Sequence, residues 1–101
     1  MTNTTTSKNG VTIRLPEERW EHIIQRHEGL NNQKELVLKT IADPERILEG
    51  NEKAMMAVRR FNQAKVLVVV YKEIDNFDGF VITAFPTRRL NSLNKRRQIW
   101  P

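Results

Sequence analysis

The sequence predicts an α+β domain in which two N-terminal helices pack on one face of a roughly four-stranded antiparallel sheet. Apolar residues recur at helical spacing between Pro16 and Ala42, whereas from Lys53 onward they gather in short runs rich in β-branched and aromatic residues. The chain is 101 residues long, 39% apolar and 29% charged, which suffices for one modest core and is too short for two.

Residues Met1 to Gly10 are polar and unpatterned, and read as a flexible tail because they offer too little apolar surface to offset the entropy of ordering. Val11 to Leu15 alternates as a short strand. Pro16 opens a helix with Glu17 and Glu18 in its first turn, where they complement the dipole, and Gly29 stops it near Glu28. Gln33 to Ala42 forms a second helix that buries Leu36, Val37 and Ile41. Asp43-Pro44 ends it, since proline disfavours helical geometry in the residue before it. Glu45 to Leu48 reads as a short strand or a turn. Lys53 to Phe61, Lys65 to Tyr71 and Gly79 to Phe85 read as strands, joined by turns at Asn62-Gln63-Ala64 and Asp75 to Gly79, in an antiparallel meander. The domain then spans 11–88, and 89–101 is a basic C-terminal tail whose Ile99 and Trp100 offer a means of docking onto the body.

Composition excludes several chemistries. Without cysteine there is no disulfide scaffold, thiolate zinc site, iron–sulfur cluster or cysteine nucleophile, and two histidines are too few for an all-histidine zinc site. Neither a metal nor a cofactor is expected. No run approaches the ~18 apolar residues that span a bilayer, and residues 1–10 lack the apolar segment of a signal peptide. The expected location is the cytoplasm, with no membrane partner. All 12 acidic residues lie at or before Asp78, so the net charge of +5 comes from Arg88, Arg89, Lys95, Arg96 and Arg97. A segment so unbalanced attracts polyanions, which favours nucleic acid over a merely solvated tail.

Trp20, Ile23, Ile24 and His27 recur on one face of the first helix, so His27 accompanies the apolar stripe, whereas His22 lies among Glu18, Glu21 and Arg26. His22 reads as a surface residue. His27 reads either as a core-edge residue bonded to backbone or as a general acid or base at the rim between helix and sheet. Arg59 and Arg60 are strand neighbours and point to opposite faces, Arg60 with Met56 and Val58, Arg59 with Met55, Ala57 and Phe61. Each is a solvated strand residue or a guanidinium fork that clamps a phosphate. Strict alternation puts Thr83 on the face of Val81 and Phe85, with Ile82 and Ala84 opposite, as a plain strand former or as a hydroxyl that orients a phosphate or a catalytic histidine. Tyr71 is a core-rim aromatic, or a second hydroxyl and a ring on which a base stacks. Asp75 to Gly79 lacks the spacing of a calcium loop and reads as a hairpin turn. No glycine-rich phosphate loop, G-x-S-x-G or His-Glu-x-x-His occurs, which leaves metal-free phosphodiester chemistry or plain binding.

The order of these segments carries a resemblance. His22-Ile23-Ile24-Gln25-Arg26-His27 in a first helix is followed by Ile41-Ala42-Asp43-Pro44-Glu45-Arg46-Ile47, Arg59-Arg60-Phe61, a Val66 to Val70 strand and Val81-Ile82-Thr83-Ala84-Phe85. Between Arg14 and Arg88 the chain resembles the small phage- and bacterium-associated members of the barnase–EndoU–colicin–RelE-like nuclease superfamily. The resemblance implies two helices before a four-stranded antiparallel sheet, and metal-independent RNA cleavage in which the 2′-hydroxyl attacks the neighbouring phosphate to leave a 2′,3′-cyclic phosphate. It also implies that His27 is the acid or base, that Arg59 or Arg60 stabilises the phosphorane, and that Thr83 positions the phosphate.

The leading expectation is therefore a small cytoplasmic endoribonuclease, toxin- or phage-associated, acting on tRNA or mRNA. Its substrate contacts would come from Tyr71, Arg88, Arg89, Lys95, Arg96 and Arg97, and an inhibitory antitoxin or immunity protein would be its partner. The alternatives are a non-catalytic RNA-binding module on the same scaffold and a protein-interaction domain whose basic tail only solubilises it.

Overall fold

A computed structural model describes residues 3–101; Met1 and Thr2, the start of the expected tail, lie outside them. The chain runs through β1 (Thr4–Thr6), β2 (Thr12–Arg14), α1 (Glu17–Arg26), a 3-10 turn (Glu28–Leu30), α2 (Lys34–Ala42), β3 (Arg46–Glu49), β4 (Met55–Arg60), β5 (Val66–Glu73), β6 (Asp78–Thr87), α3 (Leu90–Asn94) and β7 (Gln98–Trp100). The strands form one sheet in the order β1-β2-β6-β5-β4-β3-β7. Neighbours are antiparallel except β2 and β6, which are parallel. The expectation of two helices on a roughly four-stranded antiparallel sheet is thus corrected: among the described residues the sheet is mixed and seven-stranded, and there are three helices.

The additional strands come largely from the two segments that lack apolar periodicity. β1 folds back on β2 through a turn closed by Ser7 N–H to the Val11 carbonyl and Gly10 N–H to the Ser7 carbonyl, with Gly10 at φ +80°. The Ser7 hydroxyl and the Asn9 amide both donate to the Glu73 carboxylate, tying this hairpin to the end of β5. At the opposite edge β7 pairs with β3, Trp100 opposite Ile47 and Gln98 opposite Leu48. Each three-residue strand is too short for a sequence pattern and is ordered by the unpaired backbone groups of its neighbour. The sheet curls enough that Lys8, in the β1–β2 turn, sets its ammonium 4.9 Å from the centroid of the Trp100 ring.

The parallel pair follows from the route of the chain. From β2 the two helices carry it to the far side of the sheet, and the three reversals of β3 to β6 return β6 alongside β2 in the same direction. Ile13 and Leu15 from β2 and the residue after it, Ile23 from α1, Val37 and Ile41 from α2, and Leu67, Val69 and Tyr71 from β5 meet between helices and sheet, all fully buried. Burying one such aliphatic side chain is worth about 1.5–3 kcal/mol. On the opposite face a smaller cluster of Leu48, Met56, Val58 and Val68 is capped by Leu93 of α3. That five-residue helix covers only part of the face, and the rest is open.

At the edge of this open face the Arg14 guanidinium grips the Asp78 carboxylate with two bonds of 2.8 and 2.9 Å. Hydrogen bonding and charge from Arg14 hold the Asp78 carboxyl below its usual range. A depressed folded-state pKa stabilises the fold above the unfolded carboxylate pKa near ~3.9, and the contribution disappears as pH falls through the folded value. Both side chains are solvated, so the effect on stability is small. In a carboxyl NMR titration Asp78 is expected to titrate below the ordinary aspartate value, and Arg14→Gln should return it there; an unchanged titration in the variant would refute the pairing.

Candidate nucleic-acid interface

α1 ends at Arg26, and His27 leaves the helix with φ −135° and ψ 78° while its backbone N–H still bonds the Ile23 carbonyl at 2.9 Å. The expected helical position of His27 is thereby corrected. Its half-buried ring lies beyond the short stretch where β2 covers β6, tilted 40° against Phe85 with centroids 6.2 Å apart.

Strict alternation fails in β6. Val70 pairs with Thr83 and Tyr71 with Val81, so Ile82 is an extra residue and the strand is bulged. Val81 and Ala84 therefore join the core under the helices, and Thr83 is separated from Val81 and shares the open face with Phe85. A bulge leaves no periodic signal that distinguishes it from a regular strand, which is why the expected pairing of faces fails at this point.

Of the neighbouring arginines, Arg59 faces the helices and donates from Nη1 to the Asp43 carbonyl at 2.6 Å and its carboxylate at 3.2 Å. It therefore closes the C-terminus of α2. Arg60 alternates onto the open face with Met56 and Val58, is exposed, and makes no ion pair among the described residues. Two strand spacings and two residues of rise put the Arg60 and Phe85 Cα atoms roughly 12 Å apart, and Leu90 of α3 borders the same small hollow as Arg60. The structure thus brings His27 to Phe85, with Thr83 beside Phe85 on the same face, and leaves both arginines outside that group. Arg59→Ala is expected to lower stability by about 1–2 kcal/mol through loss of a charge-assisted bond, and Arg60→Ala to stay within about 0.5 kcal/mol of wild type. Denaturant midpoints measure both, and equal midpoints for the two variants would contradict the assignment.

Tyr71 is fully buried on the helix side, so no face of its ring is open to a base. Burial first, then the charge of Glu73, pushes its phenol well above the usual value. The segment expected as a basic tail is folded as α3 and β7. Arg88, Arg89 and Lys95 are exposed and make no ion pair among the described residues. Arg97 meets Glu49 at 3.7 Å, a solvated pair of little energetic weight. Arg96 is half-buried and bends back toward the β3–β4 turn, a position no sequence pattern announces.

Register also distributes the charges of the sheet. Arg46, Arg60 and Lys72 alternate onto the open face, and the only carboxylate that strands β2 to β6 place there among the described residues is Asp78, already held by Arg14. Beside the β3–β4 turn lies a groove of about 360 Å³, floored by Met56, Val70, Ile82 and Phe85 and walled by Asn51, Glu52 and Arg96. A larger hollow, about 580 Å³, opens on the helix side. Its lining includes Glu17 and Glu35, and its Lys34 is engaged by Glu17 at 3.0 Å, so it repels an anionic chain. The open face is the one suited to a polyanion.

Among the described residues no cluster of three metal-ligating side chains occurs, and no helix is long and apolar enough to cross a membrane. Compared with known proteins, the chain matches no family model, no curated protein and no solved structure.

Proposed function

We propose that the protein acts on RNA at its open sheet face, as a metal-independent endoribonuclease of the kind its motif order resembles. The observation that carries this reading is the pairing of His27 with Phe85 at the free edge of β6, next to a groove on a face whose strand-borne charges are predominantly basic. An exposed base stacks on an aromatic ring while cations track the backbone, a mode that suits single-stranded RNA. Neutral His27 takes the proton of the 2′-hydroxyl, whose oxygen attacks phosphorus. The 5′-oxygen then leaves with the proton returned by His27, giving a 2′,3′-cyclic phosphate and a 5′-hydroxyl. Thr83, on the face of Phe85, orients the phosphate.

Binding without cleavage is the second reading. It is favoured by the engagement of Arg59 with Asp43 and by the separation of Arg60 from the His27–Phe85 pair. Incubation with total tRNA and a generic mRNA in EDTA, followed by analysis of fragments and their 3′ ends, separates the two. Fragments ending in cyclic phosphate are expected. Intact RNA at concentrations where binding is observed leaves the binding module, and absence of both binding and cleavage overturns the two readings together. Replacing Arg88, Arg89 and Lys95 by glutamine is expected to weaken RNA affinity and to reduce the slope of log affinity against log salt by ~0.7 for each phosphate that the variant no longer neutralises.

A further inference from the structure

Arg96 differs from every other cation of the C-terminal segment. Its Nη1 donates to the Glu49 carbonyl at 3.2 Å and to the Asn51 side-chain oxygen at 3.3 Å, two neutral acceptors. The nearby Glu49 carboxylate is turned to Arg97, and Arg96 makes no ion pair among the described residues. A guanidinium carries five N–H donors, so these bonds fix the group while Nε and Nη2 keep no partner among the described residues. It stands in the wall of the groove whose floor contains Phe85, Val70 and Met56, with Glu52 the exposed carboxylate at the rim.

We propose that this groove is a binding site for one nucleotide unit, with the phosphate held by the fork of Arg96 and the base laid on Phe85. The inference rests on the RNA reading for the length of the ligand, and it moves the phosphate contact from the paired arginines of β4 to Arg96. Three features select this occupant. A fork with free parallel donors matches two phosphate oxygens. The floor is apolar and ends in a half-buried aromatic ring, which accepts the face of a base. At about 360 Å³ the groove is at the small end of ligand sites, enough for one nucleotide and too small for a folded partner element. Asn51 is then a positioning residue, acting through the orientation of Arg96.

NMR titration with uridine 3′-monophosphate, uridine and inorganic phosphate tests the site. The nucleotide is expected to shift the methyl signals of Met56, Val70 and Ile82 saturably, and uridine alone to bind roughly tenfold more weakly. Arg96→Gln is expected to weaken the nucleotide by about tenfold or more, whereas Arg19→Gln, at an exposed position on α1 beside His22, leaves it unchanged. Because Arg96 also ties α3 and β7 to the β3–β4 turn, Arg96→Lys is the companion variant. It keeps the charge, loses the fork, and is expected to bind the nucleotide about threefold or more below wild type. Wild-type affinity in both Arg96 variants, or shifts confined to the hollow beside Arg60 and Leu90, overturns the proposal. Nucleotide binding that depends on Arg96 in a protein that neither binds nor cuts RNA supports this site and rejects the RNA reading. RNA bound or cut equally by wild type and Arg96→Gln does the reverse.

Discussion

Gly79→Ala is expected to destabilise the protein by about 3 kcal/mol, near the upper end of what overpacking costs. Gly79 pairs with Ile13 on one side and Glu73 on the other, at the junction where β6 is held between β2 and β5. A β-carbon there would lie 2.5 Å from the Lys72 carbonyl oxygen and 2.6 Å from the Ile13 side chain. The first is backbone in the middle of the sheet and cannot yield without parting strands. The second is a fully buried residue of the main core. For a domain of this length the loss corresponds to a fall in Tm of roughly 10–20 °C. Gly29→Ala is the matched control, since a β-carbon at that position meets nothing within 4 Å. Thermal melts of the two variants that coincide would show that the β2–β6 junction is looser than these distances require.

His27→Ala is expected to lower RNA cleavage roughly a hundred- to ten-thousandfold, the usual span for removing a positioned acid–base group. RNA affinity should change little, because the cations of the open face and the ring of Phe85 remain. The fold should also survive, since His27 lies at a helix terminus, is half-buried and packs its ring against Phe85. His22 is exposed on the far side of α1 beside Glu18 and Arg19, so His22→Ala is expected to cleave as wild type does. The readout is the initial rate of fragment formation in EDTA at saturating protein. Wild-type rates in His27→Ala would remove His27 from the chemistry, and a parallel loss in His22→Ala would indicate an effect on folding instead.

Several side-chain placements are legible in the sequence because they depend on local spacing. The directions of Arg59 and Arg60 follow from alternation in a six-residue strand, and the separation of Trp20 and Ile23 from His22 follows from helical angle. Alternation misplaces Thr83 relative to Val81 because one bulged residue reverses every face that follows it. It also leaves Tyr71 looking accessible, because its burial comes from α2, β2 and the first half of β6, where Val81 pairs with it, and not from its neighbours in sequence. Arg96 is indistinguishable from Arg97 in a basic run, yet one bends to Asn51 and the other to Glu49.

The sequence by itself determined that this is an α+β chain with two early helices, that its charge excess is C-terminal, and that cysteine chemistry is absent. These properties reside in composition and in periods of two and 3.6 residues, which a chain carries before it folds. Tertiary structure decided the number of strands, the parallel pairing of β2 with β6, the bulge at Ile82 and the meeting of His27 with Phe85. Each of these depends on edges and faces supplied by segments distant in sequence. A three-residue strand such as β1 or β7 has no preference strong enough to form alone, and exists because another strand offers it unpaired hydrogen-bonding groups.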